Sequence, residues 1–130
     1  MFNFKYIFLL LFLSFSVFSQ DKNNKINKLR VGIENNNNDT IKINKLYDIS
    51  SIYPLANNKK IDSISNLILH LSKKNNFQKG FGYYYLIKGK ALMKKENYVD
   101  YNKALSNFKI ASSYFSKLKK EFNIFFEINN

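Results

Sequence analysis

His70 is the only histidine in this 130-residue chain, and there is no cysteine. It sits between Leu69 and Leu71, with Leu67 close by. That setting predicts a helix-packing residue, not a base or a metal ligand. With one histidine, no serine can be given a convincing nucleophile–base pairing. The acids Asp48, Asp62, Glu96, Asp100, Glu121 and Glu127 are too dispersed for a carboxylate pair or an oxygen cage around a cation. Gly80-Phe81-Gly82 lacks the third glycine and the preceding strand of a dinucleotide loop, so it reads as a helix start. Tyr83, Tyr84 and Tyr85 would point in three directions around a helix, about 100° apart. They cannot form one stacking platform for nucleic-acid bases. The side chains therefore name no catalytic group, cofactor or metal, and the expectation is a protein that is not an enzyme.

The balance of charge narrows the partner. Lysine and arginine number 21 against 9 acids, a net charge of +12. Arg30 is the only arginine, and the lysines are scattered along the chain. Readers of nucleic acid commonly use arginine forks. Nucleic acid is thus an unfavoured partner, and a basic protein binding nucleic acid or an anionic surface is the different-class alternative. The abundance of lysine, asparagine, isoleucine, phenylalanine and tyrosine is also what an AT-rich coding sequence favours.

The first twenty residues read as a secretion signal. Lys5 supplies a positive charge, Tyr6 to Phe18 is almost continuously apolar, and Val17 and Ser19 suit a cleavage site. The apolar run is shorter than the roughly 20 residues that span a bilayer. The expected mature chain begins at Gln20, with an uncleaved anchor as the alternative. Residues 20–39, with the run Asn35 to Asn38, read as a polar disordered leader. Asp39 or Thr40 would then cap the first helix. Asn38-Asp39-Thr40 matches an N-glycosylation sequon, and Asp39-Thr40-Ile41 and Asp62-Ser63-Ile64 match a short O-glycosylation pattern. Matches of three residues carry little weight.

From Thr40 the apolar residues take a helical period. Ile43, Leu46, Ile49, Ile52 and Tyr53 form one face, and Pro54 ends that helix. A second helix is expected over 60–74, with Ile61, Ile64, Leu67, Ile68 and Leu71 on its apolar side. A third runs over 78–96, a fourth over 100–118, and a fifth begins near Lys120. Ser65-Asn66-Leu67 matches Ser106-Asn107-Phe108 at a distance of 41 residues.

Small residues sit where helix pairs would cross: Gly89 and Ala91, then Ala104 and Ala111. Tyr85, Leu92 and Phe108 are large residues around them, and such a pattern lets antiparallel helices interlock. Over residues 40–130 the chain resembles a tetratricopeptide repeat protein, with a period longer than the standard repeat. Tyr85, Gly89, Leu92, Ala104, Phe108 and Ala111 carry the resemblance in the second unit. Leu46, Ile49, Ser50, Tyr53, Ser63 and Leu67 carry it in the first, with His70 where alanine is usual. Lys88 stands where leucine is usual.

The resemblance implies an all-α solenoid of about five helices in antiparallel helix–turn–helix repeats, the last repeat incomplete. It also implies a groove lined by the first helix of each pair. Asn44, Tyr47 and Ser51 would face it from the first unit, and Tyr83, Leu86, Lys90, Met93 and Lys94 from the second. Lysine beside asparagine and tyrosine suits a protein or peptide ligand bearing carboxylates. The phenylalanines of residues 122–126 would leave the solenoid end uncapped. The functional expectation is an exported, non-catalytic scaffold for protein–protein interaction in the periplasm or envelope of a bacterium. The sensing part of a truncated histidine kinase or transcriptional regulator is the alternative that the resemblance also implies.

Overall fold

The computed structural model describes residues 21–53, 58–93 and 98–128. All of the regular structure there is helical. Helix α1 covers residues 21–34, α2 Asp39–Ile52, α3 Asn58–Lys74, α4 Gln78–Met93 and α5 Tyr98–Ile128. The signal reading at residues 1–20 lies outside the described residues.

The helix ends follow from local chemistry. Asn38, not Asp39 or Thr40, caps α2. Its Oδ1 accepts from the Thr40 and Ile41 amides at 2.9 and 3.4 Å. Asp39 instead joins α2 to the end of α3, accepting from Lys74 Nζ at 2.9 Å and Asn75 Nδ2 at 3.0 Å. Tyr53 leaves α2 with φ −70° and ψ 139°, the extended backbone that a following proline favours. Helix α3 closes on Asn76, whose φ of 49° is left-handed. The Phe77 amide then bonds the Ser72 carbonyl at 2.9 Å, and the Phe77 ring packs on the core. That is a Schellman ending with asparagine in place of glycine.

Two expectations are corrected. Residues 21–34 are helical, where an unstructured leader was expected. Ile26 is buried, and Ile33 packs against the core cluster. Lys45 Nζ donates to the Gly32 carbonyl at 3.0 Å and so satisfies an orphan group in the last turn of α1. Second, no helix begins near Lys120, because α5 runs unbroken from Tyr98 to Ile128. That span contains neither glycine nor proline.

From α2 to α5 each helix packs on the next, and α2 also reaches α4. Helix α1 meets α2 through the Lys45–Gly32 hydrogen bond. Ile43, Leu46, Ile61, Ile68 and Ile87 form the buried centre, so α2, α3 and α4 share one core. Burying each such side chain is worth about 1.5–3 kcal/mol. In the α4–α5 pair, a Cβ on Gly82 would stand 2.6 Å from the Phe115 ring. One on Gly89 would stand 2.6 Å from the Phe108 ring. Both pairs keep the same antiparallel register. On the other flank, Tyr114 packs between Phe81 and Tyr85, with ring centroids 5.6 and 6.1 Å away.

Burial also corrects the register of the first unit. On α3 the fully buried positions are Ile61, Ser65, Ile68 and Ser72, while Leu67 is 43% exposed. His70 is exposed as well and does not pack between helices. Ser50, Ser65 and Ser72 are buried, and each lies 39 residues before a buried small residue: Gly89, Ala104 and Ala111. Buried positions of both helices therefore match at one offset, and the 41-residue match of Ser65 with Ser106 does not hold, since Ser106 is exposed. Each serine hydroxyl donates back to a carbonyl of its own helix: Ser50 to Tyr47, Ser65 to Asp62, Ser72 to Ile68. With its polar atom satisfied locally, serine fills the role of an alanine-sized residue at a close crossing. A Cβ on Gly80 would overlap the Ser72 hydroxyl, which shows how near α3 and α4 come.

Candidate functional site

The contact between α2 and α4 brings the first helices of the two pairs side by side. Asn44 and Tyr47 stand one turn apart on α2, and Lys79, Tyr83, Leu86 and Lys90 follow at three- and four-residue spacing on α4. Tyr47 and Tyr83 stack across the seam, ring centroids 3.9 Å apart and planes within 8°. The Tyr83 hydroxyl donates to Asn44 Oδ1 at 3.3 Å. Tyr83 also meets Phe115 of α5 at 5.9 Å, tilted by 59°. Tyr83, itself on α4, thus touches both α2 and α5. An aromatic pair adds about 0.5–1.5 kcal/mol beyond its burial.

Two ammonium groups frame the stack. Lys90 Nζ lies 5.9 Å from the Tyr47 centroid, and Lys79 Nζ lies 5.5 Å from the Tyr83 centroid. At exposed positions each such contact is worth about 0.5–1 kcal/mol. Neither lysine pairs with a carboxylate among the described residues. The ion pairs there are Lys42 and Lys74 with Asp39, and Lys88 with Asp62 at 2.9 Å. Lys88 thus ties α4 to α3.

Leu86 lies beyond the stack, over a groove between α4 and α5 of about 420 Å³. Phe108, Ala111, Phe115 and Lys119 line the rest of it. The expected groove set is thus only partly gathered. Asn44, Tyr47, Tyr83 and Lys90 form one cluster, and Leu86 opens the adjoining groove. Ser51 turns its hydroxyl to the Tyr47 carbonyl at 3.2 Å, and Met93 is 53% exposed. Lys94 lies outside the described residues. Sequence reading missed Lys79, Phe115 and Lys119. Lys79 carried a signal, one helical turn before Tyr83; the α5 residues carried none until the pairing of α4 with α5 was known.

Tyr83, Tyr84 and Tyr85 are all half-buried, as their angular spread requires. Tyr84 meets Tyr85 edge-on at 5.1 Å, and Tyr85 turns to Tyr114 of α5. Among the described residues, no three histidine, cysteine or acidic side chains gather as a metal site. No helix there is long and apolar enough to cross a membrane. The cluster offers flat apolar rings, an amide oxygen and unneutralised ammonium groups. Such groups can hold a ligand by apolar contact, hydrogen bonding and charge. Comparison of the chain with protein-family models, with curated proteins and with solved structures gave no match.

Proposed function

We propose that this chain is an exported, non-catalytic helical-repeat scaffold of the tetratricopeptide type, which binds a partner segment bearing carboxylates. The Tyr47–Tyr83 stack with Lys79 and Lys90 beside it is the observation that carries the reading. An extended peptide can lay an apolar side chain on Leu86 and the rings while its carboxylates meet the lysines. The matched burial of Ser50, Ser65 and Ser72 with Gly89, Ala104 and Ala111 supports the repeat reading. Export rests on the composition of residues 1–20, and the bacterial envelope is the compartment that the tetratricopeptide resemblance implies for an exported chain of this kind.

A peptide array tests the groove. Peptides rich in glutamate and aspartate, with lysine-rich and uncharged controls, are probed with the full chain at low and at high salt. The expected result is retention of acidic peptides carrying an apolar residue, weakened but not abolished at high salt, and lost in Lys90→Glu and Leu86→Ala variants. Equal binding of uncharged controls would overturn the reading. Binding that vanishes steeply with salt, and survives Leu86→Ala, would instead favour the nucleic-acid or anionic-surface alternative.

A further inference from the structure

A second cleft opens between α1, α2 and α3, and it shares no residue with the Tyr47–Tyr83 face. It encloses about 410 Å³, within the range of small-molecule sites, ~300–1,000 Å³. Its floor is apolar. Leu46 and Ile49 are buried, and Ile33 and Ile64 are half-buried beside them. Its rim is cationic, and Tyr53 organises that rim. Arg30, the chain's only arginine, donates from Nη2 to the Tyr53 hydroxyl at 3.2 Å. Lys60 Nζ lies 5.2 Å from the centre of the same ring. Two cations from different helices are thereby held at one tyrosine.

Neither cation is neutralised by an ion pair among the described residues. Glu34 also lines the cleft, one turn after Arg30, and forms no ion pair with a described residue. The rim thus carries two positive charges against one negative. The carbonyl end of α1, which would repel an anion, is already bonded at Gly32 by Lys45. A guanidinium and an ammonium above an aliphatic floor match a molecule with one anionic head and a short apolar tail.

We infer that this cleft is a binding site for a small amphipathic anion. The head sits between Arg30 and Lys60, and the tail lies over Ile33, Leu46, Ile49 and Ile64. A carboxylate and a phosphate monoester share the required head chemistry.

Isothermal titration of the full chain with octanoate, octyl phosphate, octylamine and octanol tests this. The two anions should saturate one site, and the amine and the alcohol should not. Tighter binding of octanoate would assign the head as a carboxylate, and tighter binding of octyl phosphate as a phosphate ester. Arg30→Gln with Lys60→Gln should weaken the anions by about tenfold or more. Lys103→Gln, an exposed change on α5, should leave binding unaltered. If the double variant loses helix by circular dichroism, Ile64→Phe, which fills the cleft from its floor, should block binding instead. Equal binding of all four probes, no saturation by either anion, or undiminished binding in helical variants would overturn the inference.

Discussion

Phe108 occupies the space that Gly89 leaves. A Cβ on Gly89 would stand 2.6 Å from Cε1 and 2.7 Å from Cδ1 of that ring. Two effects oppose each other in Gly89→Ala. Alanine favours the helix by about 1 kcal/mol, while overpacking costs about 1–3 kcal/mol. The ring cannot retreat easily, because Ala104 and Ala111 on its own helix are already buried against the pair. Net destabilisation of about 1 kcal/mol is expected from urea unfolding followed by circular dichroism. Adding Phe108→Leu should recover part of it, with a coupling of about 1 kcal/mol in the double-mutant cycle. Strict additivity would mean that the two residues do not meet.

The buried serines make an opposite prediction. Ser65 and Ser72 are fully buried, and their hydroxyls bond only to carbonyls within α3. Alanine keeps the size, loses no partner across the interface and favours the helix. Ser65→Ala and Ser72→Ala should change stability by less than about 0.5 kcal/mol. Ser72→Leu should cost about 1–3 kcal/mol, since a Cβ on Gly80 already has no room there. Comparing urea midpoints of the three variants checks this. A large loss in Ser72→Ala would show that the hydroxyl itself holds α3 to a neighbour.

Acid should loosen the junction of α2 with α3. The hydrogen bond from Lys74, then that from Asn75, holds the Asp39 carboxyl below its usual value. A carboxyl whose folded pKa is depressed contributes stability above its unfolded pKa, about 3.9. That contribution fades as pH falls through the lower folded value. Wild type should therefore melt above Asp39→Asn from neutral pH down to about pH 4. Below that the two curves should converge. A constant gap between the thermal melting curves down to pH 2 would rule out this linkage.

How far the sequence revealed these features depended on the kind of signal. Gly89, Ala104, Phe108 and Ala111 were legible because small and large residues at helical spacing have one economical packing. Helix α1 was hidden by composition. Ile26, Leu29 and Ile33 have helical spacing, but lysine and asparagine between them diluted the pattern. The buried face of α3 was obscured because two of its four central positions are serine, which hydropathy counts as surface. Of the groove, Tyr47 and Tyr83 were reached through the repeat resemblance, which places them on the first helix of each pair. Their stacking depends on how α2 lies on α4, a relation that no local pattern encodes.

The continuity of α5 can be tested at the point where a turn was expected. Lys119-Lys120-Glu121 resembles Lys73-Lys74-Asn75 at the end of α3, yet only α3 stops there. The difference is asparagine: Asn76 takes the left-handed conformation that closes α3, whereas lysine and glutamate favour continued helix. Lys120→Pro would remove an amide hydrogen bond inside the helix and crowd the carbonyl four residues earlier, a cost of about 3 kcal/mol or more. Lys59→Pro, in the first turn of α3, should be far milder, because that amide has no partner within its helix. The expected outcome is a marked loss of helical circular dichroism and faster proteolysis after residue 116 in Lys120→Pro alone. Retention of full helicity in Lys120→Pro would place a turn at that position and restore a separate final helix.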